Sequence, residues 1–275
     1  HNGRRRQRQM CIRDRNSGDE IILSEIEHHA NIIPWQMAAA KYNLKINYVN
    51  VSESFELDFD HLESLLNKNT KVVSIVGESN ISGMLPDIKK INSLVKDKTD
   101  AVYIVDGAQL VPHRKIDVQD LGIDFLCVSG HKMLGPTGIG VVWGRKELLE
   151  NLDPVYGGGD MIEEVFYDTA TWAPIPHKFE AGTPPYVEAI GLGAAVDYLS
   201  NLDMNNVQKH SDDLREYAKN KLGNIDGLNI IHTNSKLAGC TFAMSVDGVH
   251  ATDVSLMLDT SVSYTHLTLP TTTIV

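Results

Sequence analysis

The chain has 275 residues, of which 42% are hydrophobic and 22% are charged, and its formal net charge is −11. This length suits one large domain or two unequal domains, and the acidic balance argues against a surface that binds nucleic acid. No apolar run reaches the roughly 18 residues that a membrane-spanning helix requires. Neither a nucleic acid nor a membrane is therefore expected as a partner.

Both ends of the sequence differ from the rest. Residues 1–15 hold six Arg and one Asp; such a basic arm can bind nucleic acid or serve as a targeting peptide, but a non-native segment is the preferred interpretation. Residues 260–275 are Thr-rich and uncharged, and they fit no element that the preceding domain needs next. We expect both segments to be foreign and the native sequence to break off near Asp259.

The three cysteines, at positions 11, 127 and 240, are scattered and form no Cys-x-x-Cys pair. This usage is typical of a reducing compartment, so a cytoplasmic location is expected, and it argues against a disulfide framework or a cysteine zinc cluster. Cys127 and Cys240 lie in apolar stretches and are interpreted as buried strand residues. No cysteine nucleophile and no metal site is predicted.

Between residues 18 and 145, strand-like and helix-like segments alternate at intervals of about 25–30 residues, as βαβ units do. The strand-like segments are apolar throughout, which predicts an α/β fold with a mostly parallel sheet sandwiched by helices. Pro34 is expected in the first turn of its helix. Strands are predicted over residues 21–24, 45–51, 70–80, 100–109, 122–132 and 138–145, and helices over 32–43, 58–69 and 86–98.

The character of the sequence changes in the last third of the chain. Amphipathic helices are predicted over 188–202 and 205–222, followed by strands in "LNIIHT" and "GCTFAMSV" and a helix in "HATDVSLMLD". We therefore predict a large domain over residues 16–185 and part of a smaller α+β domain over 186–259.

Polar side chains follow three of the apolar strands, in "ESN" at 78–80, "DGAQ" at 106–109 and "SGHK" at 129–132. In parallel sheets, ligands bind at the carboxyl ends of the strands. Asp106 and Lys132 end two such strands, and the 26 positions between them fit one strand-to-strand crossover, which would bring both to one edge of the sheet.

Taken singly, Asp106 is explained as a turn residue and Lys132 as a solvated lysine. Together they fit pyridoxal phosphate, whose aldehyde forms a Schiff base with a lysine and whose pyridine nitrogen pairs with a carboxylate. Ser129 and His131 stand beside the lysine and are available to bind the phosphate. The nearby "GPTGIG" lacks the order of a nucleotide-binding loop and is interpreted as a turn.

Five motifs occur in sequence: "EHHANIIPWQ", "VDGAQ", "SGHKMLGPTGIGVVWGR", "YGGGDMI" and "FEAGTP". Together they resemble the class V aminotransferase family of fold type I pyridoxal phosphate enzymes. The branch that they resemble most is the group II cysteine desulfurases and selenocysteine lyases, which supply sulfur for iron–sulfur cluster assembly. The resemblance covers roughly residues 16–259.

By motif, the resemblance implies a role for each of eight residues. Lys132 is the Schiff-base lysine and removes a proton from the substrate, while His28 stacks on the cofactor ring and helps to move protons. The other implied contacts are Asp106 with the pyridine nitrogen, Gln109 with the ring hydroxyl, Ser129 and His131 with the phosphate, Asn80 near the ring and the substrate carboxylate, and Thr183 with the phosphate of the partner subunit.

The implied activity converts L-cysteine, or selenocysteine, to L-alanine. The sulfur is carried as a persulfide on a protein cysteine and passed to a sulfur-acceptor protein. The role of Thr183 implies a homodimer with shared sites, and "YGGGDMI" would form a gating hairpin at the entrance of the site.

The sequence departs from the family at several places. "TSVSYTHLTLP" stands where the family has its catalytic cysteine in an Arg-x-Gly-x-x-Cys setting, and the substrate-binding arginine further on is absent. Residues 1–15 replace the phosphate-binding helix start with its paired threonines, and "GESNISGML" has Gly-Glu where the family often has His-Val. We therefore expect a desulfurase fragment that turns over cysteine poorly or not at all.

Two alternatives remain open. The chain could be another class V pyridoxal enzyme, such as a selenocysteine lyase or an epimerase-like relative, because only the missing C-terminal loop separates these activities. It could also be a non-catalytic scaffold that dimerises and holds the cofactor; a native stop near Asp259 would favour this alternative.

Overall fold

The computed structural model describes residues 16–231, 238, 239 and 241–262. Its strands are β1 (Glu20–Ser24), β2 (Lys45–Val49), β3 (Thr70–Val76), β4 (Val102–Asp106), β5 (Phe125–Ser129), β6 (Gly140–Gly144), β7 (Ile162–Val165), β8 (Ala170–Trp172), β9 (Leu228–Ile231) and β10 (Ala243–Val246). Its α-helices are α1 (His29–Tyr42), α2 (Phe59–Leu65), α3 (Ile88–Lys98), α4 (Lys146–Asn151), α5 (Tyr186–Leu202), α6 (Met204–Leu222) and α7 (Ala251–Val262), with 3₁₀ turns at Gly130–Met133 and His177–Phe179.

Six strands form the central sheet in the order β2-β1-β3-β4-β5-β6, and every neighbouring pair except the last runs parallel. The predicted α/β class with a mostly parallel sheet is confirmed. β6 runs antiparallel to β5 because only residues 130–139 connect the two strands. This connection is shorter than the dozen or more residues that a parallel crossover requires.

The chain reverses its direction across the sheet at β1, since β2 lies on one side of β1 and β3 on the other. The ladder between β1 and β3 pairs Ile21 with Val72 and Ile22 with Val73, and it contains no pair further along the strands. The carboxyl ends of β1 and β3 therefore diverge. In open parallel sheets, a reversal of this kind opens a crevice in which ligands bind.

Both faces of the sheet are buried, as the uninterrupted apolar strands predict. On one face, Val73 and Tyr103 pack with apolar residues of α2 and α3. On the other face, Ile104 and Phe125 pack with Trp35 of α1. Burial of an aliphatic side chain contributes about 1.5–3 kcal/mol relative to its exposure, so the two helix layers hold the strand ends in place.

α1 begins at His29, three residues before the predicted start, and Pro34 is consequently its sixth residue. The expected place of Pro34 in the first turn is therefore wrong. The earlier start is explained by His28, whose Nδ1 accepts the N–H of Ala30 at 3.0 Å and caps the helix. The helix ends at Asn43, which adopts the left-handed conformation with φ 52° that often closes a helix.

After β6 the described residues form smaller pieces, namely the β7–β8 and β9–β10 pairs and helices α5 to α7. β9 and β10 lie in the two stretches predicted as strands, whereas His232 and Cys240 from those stretches lie outside the described residues. The same holds for the two end segments, apart from 260–262, which continue α7. The division into domains at residue 185 stays a prediction. Within the described residues, no helix combines the length and the apolar character needed to cross a membrane.

Asp124 joins three parts of the fold just before β5. Its side chain is 2% exposed; Oδ2 accepts the Nζ of Lys96 at 2.6 Å and the backbone N–H of Tyr103 at 2.8 Å, and Oδ1 accepts the Nη1 of Arg145 at 3.3 Å. The two cations are partly exposed and can return to water, but the N–H of the buried Tyr103 depends on this carboxylate.

We expect Asp124→Ala to lower the free energy of unfolding by about 2–3 kcal/mol, because a buried donor is left unsatisfied and an ion-pair network is broken. Urea unfolding measures the loss. The control is Asp120→Ala, which removes the exposed 2.8 Å ion pair between Asp120 and Lys89 and should cost less than about 0.5 kcal/mol. Equal losses in the two variants would contradict this account of Asp124.

Candidate active site

The residues singled out from the sequence follow the carboxyl ends of four neighbouring strands. His28 follows β1, Asn80 follows β3, Asp106 ends β4, and Lys132 follows β5. Because β1, β3, β4 and β5 are adjacent and parallel, their carboxyl ends meet at one edge of the sheet. This edge includes the crevice between the diverging ends of β1 and β3.

Asp106 supplies a buried carboxylate at this edge. It is 2% exposed and stands in register with Val76 on β3 and Cys127 on β5. Its Oδ1 accepts the N–H of Ala108 at 3.1 Å. The next residue is glycine because the position is crowded: a Cβ on Gly107 would lie 2.6 Å from a methyl group of Leu126. The chain therefore turns sharply and leaves the carboxylate at the base of the site.

Lys132 is half-buried and lies in the 3₁₀ turn after β5. Two backbone hydrogen bonds close this turn: Gly130 N–H donates to the carbonyl of Ile139 at 3.1 Å, and Gly135 N–H donates to the carbonyl of Gly130 at 3.0 Å. A Cβ on Gly130 would lie 2.8 Å from the carbonyl oxygen of Ile139. Glycine at position 130 is thus required to bring the two strands of the connection together beneath the lysine.

α5 packs on the outer side of this connection. Ideal Cβ positions at Gly135 and Gly191 would lie 2.9 Å from Leu192 and 2.6 Å from Pro136, respectively. Such close approaches show that the helix and the connection are in direct contact. The helix therefore holds the segment that follows the lysine against the sheet edge.

Ser129 and His131, the predicted phosphate ligands, are brought together. Ser129 Oγ and His131 Nδ1 are 3.0 Å apart; the serine is buried, while the imidazole is exposed. Both flank Gly130 immediately before Lys132. The pair can present a hydroxyl and a ring N–H to an anion bound beside the lysine.

His28 stands on the exposed side of the site, at the N-terminus of α1. Because its Nδ1 accepts the N–H of Ala30, the proton of the neutral ring is assigned to Nε2. The rings of His28 and His29 are tilted by 46°, with centroids 6.0 Å apart, so they do not stack on each other.

Asn80 and Gln109 lie in the turns that follow β3 and β4, and both are half-buried. The Oδ1 of Asn80 is buried and accepts no hydrogen bond from any residue that the structure describes. An acceptor of this kind normally has a partner in a folded protein. It therefore has the capacity to accept a hydrogen bond from a bound molecule.

Thr183 is not joined to the strand-end residues by any contact found among the described residues. It is exposed, in the loop between the second 3₁₀ turn and α5. That loop touches "YGGGDMI", since Gly182 N–H donates to the carbonyl of Gly159 at 2.9 Å. The gating role of "YGGGDMI" and the phosphate contact of Thr183 stay predictions.

A buried polar network that the sequence motifs did not predict lies beside the site. Glu27 is 1% exposed; its Oε1 accepts the hydroxyl of Ser24 at 2.5 Å and the N–H of Val76 at 2.8 Å, and its Oε2 accepts the Nδ2 of Asn31 at 2.6 Å. The sequence signal was an acidic residue and an amide four positions apart, between an apolar strand and an apolar helix.

Burial raises the pKa of the Glu27 carboxyl to about 7. The hydrogen bonds from Ser24, Asn31 and Val76 oppose this increase, and the negative charge of Asp106 adds to it. The pKa of the buried Tyr103 hydroxyl is also raised, first by burial and then by the charges of Glu27 and Asp87. Glu27 is therefore electrostatically coupled to the predicted cofactor-binding carboxylate.

We expect the contribution of Glu27 to the stability of the cofactor-free chain to fall as pH rises from 5 to 8. The pKa of Glu27 is about 7 in the folded chain against an ordinary 4.5, so the folded chain binds the extra proton in this interval, and ionisation of Glu27 costs roughly 3 kcal/mol. In Glu27→Gln this contribution should be absent. Urea unfolding at pH 5, 6, 7 and 8 measures the difference between the two pH slopes.

The control is Glu56→Gln, which changes an exposed glutamate and should keep the pH slope of the parent chain. Parallel stability curves for the parent chain and Glu27→Gln would show that Glu27 does not bind the extra proton.

These residues fit the predicted cofactor, pyridoxal phosphate. Lys132 supplies an amine for its aldehyde, Asp106 a buried carboxylate for its pyridine nitrogen, and Asn80 a buried acceptor for a polar group of the ring or substrate. No group of three or more His, Cys, Asp or Glu in the described part of the chain is arranged to hold a metal ion.

The fold and the order of the motifs agree with a known family. The family model described as aminotransferase class-V matches residues 9–263. The chain therefore belongs to the class-V aminotransferase family, and the resemblance inferred from the five motifs is confirmed.

Individual relatives carry the comparison further. A probable cysteine desulfurase from Streptomyces coelicolor is 43% identical over 241 residues, which cover 87% of this chain and 57% of that protein. A cysteine desulfurase from Haloferax volcanii is 40% identical over 242 residues, which cover 88% of this chain and 57% of that protein. The chain thus spans less than two thirds of the length of these relatives.

Solved structures show the same architecture. A cysteine desulfurase from Escherichia coli superposes with a TM-score of 0.85 at 35% identity, covering 92% of this chain and 63% of that chain. The apo cysteine desulfurase from Thermococcus onnurineus gives a TM-score of 0.88 at 30% identity, covering 94% of this chain and 64% of that chain.

Proposed function

We propose that the protein from which this chain comes is a pyridoxal phosphate-dependent cysteine desulfurase, which converts L-cysteine to L-alanine and passes the sulfur on through an enzyme persulfide. The observation that carries the proposal is a placement: the buried carboxylate of Asp106 and the amine-bearing Lys132 lie at the carboxyl ends of two adjacent parallel strands. The relatives named cysteine desulfurases support the choice of reaction.

When bound, pyridoxal phosphate supplies an electron-withdrawing ring that stabilises negative charge on the substrate carbon. Asp106 is proposed to hold the pyridine nitrogen in its protonated form, because a buried carboxylate favours a neighbouring cation. Ser129 and His131 would bind the phosphate, and Gln109 would bond the ring hydroxyl. Together these contacts would orient the ring at the sheet edge.

Lys132 is proposed to hold the cofactor through its Nζ and, once released by the substrate, to take the α-proton of cysteine as a general base. His28 would cover the ring from the side of α1, and its Nε2–H can donate a hydrogen bond toward the substrate. Asn80 is proposed to contact the substrate carboxylate through its side-chain amide. The three residues follow three different strands, β5, β1 and β3.

The described part of the chain contributes no residue to sulfur acceptance in this proposal. The cysteine in the described part is Cys127, which is 2% exposed and packed in one cluster with Trp35 and Ile104. A thiol in apolar surroundings stays protonated and is a poor nucleophile. A sulfur-acceptor protein that receives the persulfide sulfur is part of this proposal through the family resemblance of the motifs.

Borohydride reduction after incubation with pyridoxal phosphate should fix the cofactor covalently on Lys132, because its amine follows β5 and the neighbouring strand β4 ends in the buried carboxylate of Asp106. Peptide mass spectrometry locates the adduct. Lys132→Ala should lose it. Lys146→Ala, which removes an exposed amine, should keep it. A folded chain without an adduct, or an adduct that persists in Lys132→Ala, would refute the proposed site.

We also propose that two copies pair across the start of α5. This helix exposes Tyr186, Val187 and Ile190, each more than 60% accessible, directly after the loop of Thr183. Contiguous apolar patches of this kind mark interaction surfaces. Pairing there would bring Thr183 of one copy toward the site of the other.

We expect the purified chain to sediment as a dimer and Ile190→Glu to shift it to the monomer, because a charge at the centre of an apolar interface is desolvated without a partner. Leu214→Glu, on the exposed face of α6, is the matched control and should remain dimeric. A parent chain that is monomeric at micromolar concentration would contradict the proposed surface.

A further inference from the structure

The strongest feature beyond the predicted site residues is the gap where the ends of β1 and β3 diverge, at the crevice described above. The β1–β3 ladder ends at the pair Ile22–Val73. Ser74 and Val76 continue β3 beyond this point. Gly77 N–H donates to the carbonyl of Asp106 on β4 at 2.9 Å. Because backbone groups alternate in direction along a strand, those of Ser74 and Val76 point the other way, toward β1. The Ser74 carbonyl and the Val76 N–H, which lie past the last pair of the ladder, bond to side chains instead of to β1.

Two side chains take the place of the missing strand. Asn31 Nδ2 donates to the carbonyl of Ser74 at 3.3 Å, and Glu27 accepts the N–H of Val76 at 2.8 Å. The hydroxyl of Ser74 and the indole N–H of Trp35 both donate to Asn31 Oδ1, at 2.8 and 3.1 Å. The gap is thus filled by a satisfied polar network, which buried backbone groups require.

Glu27 occupies the central place in this network with respect to the site. It immediately precedes His28, the N-cap of α1, and its Oε2 accepts a hydrogen bond from the Nδ2 of Asn31 in the first turn of that helix. On the other side of the crevice it holds Val76, which is the register partner of Asp106. A single carboxyl group therefore links the histidine on one wall of the crevice to the strand pair that carries Asp106 on the other.

The network is also charged. Two titratable groups of β4, Asp106 and Tyr103, interact electrostatically with Glu27. His28 is the titratable residue that follows Glu27 in the chain. Burial and the charge of Asp106 favour the protonated form of Glu27, whereas the three hydrogen bonds that its oxygens accept favour the ionised form. A cation bound at Asp106 would relieve that repulsion, so occupancy of the site and ionisation of Glu27 should favour each other.

We propose that Glu27 is a positioning residue for the cofactor: it sets the separation of His28 and Asp106 across the crevice. The inference rests on the proposed function, because it takes the protonated pyridine ring of pyridoxal phosphate as the cation. Glu27 acts through His28 and Asp106 and need not touch the ring itself.

A matched pair of serine variants separates this role from simple stability. Ser24 donates to Glu27, and Ser74 donates to Asn31; both serines are fully buried, and each Ser→Ala change removes one buried hydrogen bond. Both variants should therefore unfold at similarly lowered urea concentrations. Ser24→Ala should in addition weaken the binding of pyridoxal phosphate about fivefold, and Ser74→Ala less than about twofold.

The pH dependence of binding gives a second measurement. Binding that favours ionised Glu27 releases a proton, so the affinity of the parent chain for pyridoxal phosphate should rise between pH 6 and 8. In Glu27→Gln the rise should be smaller by up to about tenfold across this interval. Changes in cofactor absorbance during titration measure both affinities, with no need for turnover.

The outcomes are distinguishable. A folded parent chain that binds no pyridoxal phosphate at Lys132 overturns the proposed function, and this inference with it. A parent chain that binds, with equal losses of affinity in Ser24→Ala and Ser74→Ala, overturns the inference alone, as does an unchanged pH dependence in Glu27→Gln. If Glu27→Gln does not fold, the serine pair decides.

Discussion

Polar groups buried at the carboxyl ends of parallel strands are the constraint on which this structure depends. Where β1 and β3 part, backbone groups of β3 lose their ladder, and Asn31 and Glu27 must replace it. Where β4 ends, the carboxylate of Asp106 is buried at the base of the site. The apolar strands fix the sheet, but these satisfied polar groups decide where a cavity for chemistry can open.

The same constraint explains why the chemistry is divided among several strands. If one segment held the lysine, the carboxylate, the amide and the imidazole, these groups would bond to each other and would no longer be available to a ligand. Placed on Lys132, Asp106, Asn80 and His28, each is held by a different strand end, and the rigid ladders between the strands fix their separations. Precise placement then costs little additional ordering when a ligand binds.

Lys132 and Asp106 could be placed from the sequence because local patterns report them directly: each follows an uninterrupted apolar run, and parallel strands of one sheet bring their ends together. Glu27 could not be assigned, because its role depends on the divergence of β1 and β3, which arises from strand order rather than from local pattern. Pro34 was misplaced by one turn because the cap is His28, which is not among the residues favoured at helix N-termini. The role proposed for Thr183 requires a second copy of the chain, so the contacts of one copy cannot test it.

The antiparallel turn of the chain at β6 has a mechanical consequence. Lys132 lies on the connection between β5 and β6. A hydrogen bond between Gly130 and Ile139 joins the two ends of this connection, and a second one joins Gly135 in its middle to Gly130. The backbone of this loop cannot move together with the amine of Lys132 unless those hydrogen bonds break. The distance that Nζ can move is therefore set by the four flexible methylenes of the lysine side chain, while the backbone of residue 132 keeps its position. An amine so mounted can exchange one bonding partner for another while the strands beneath it stay still.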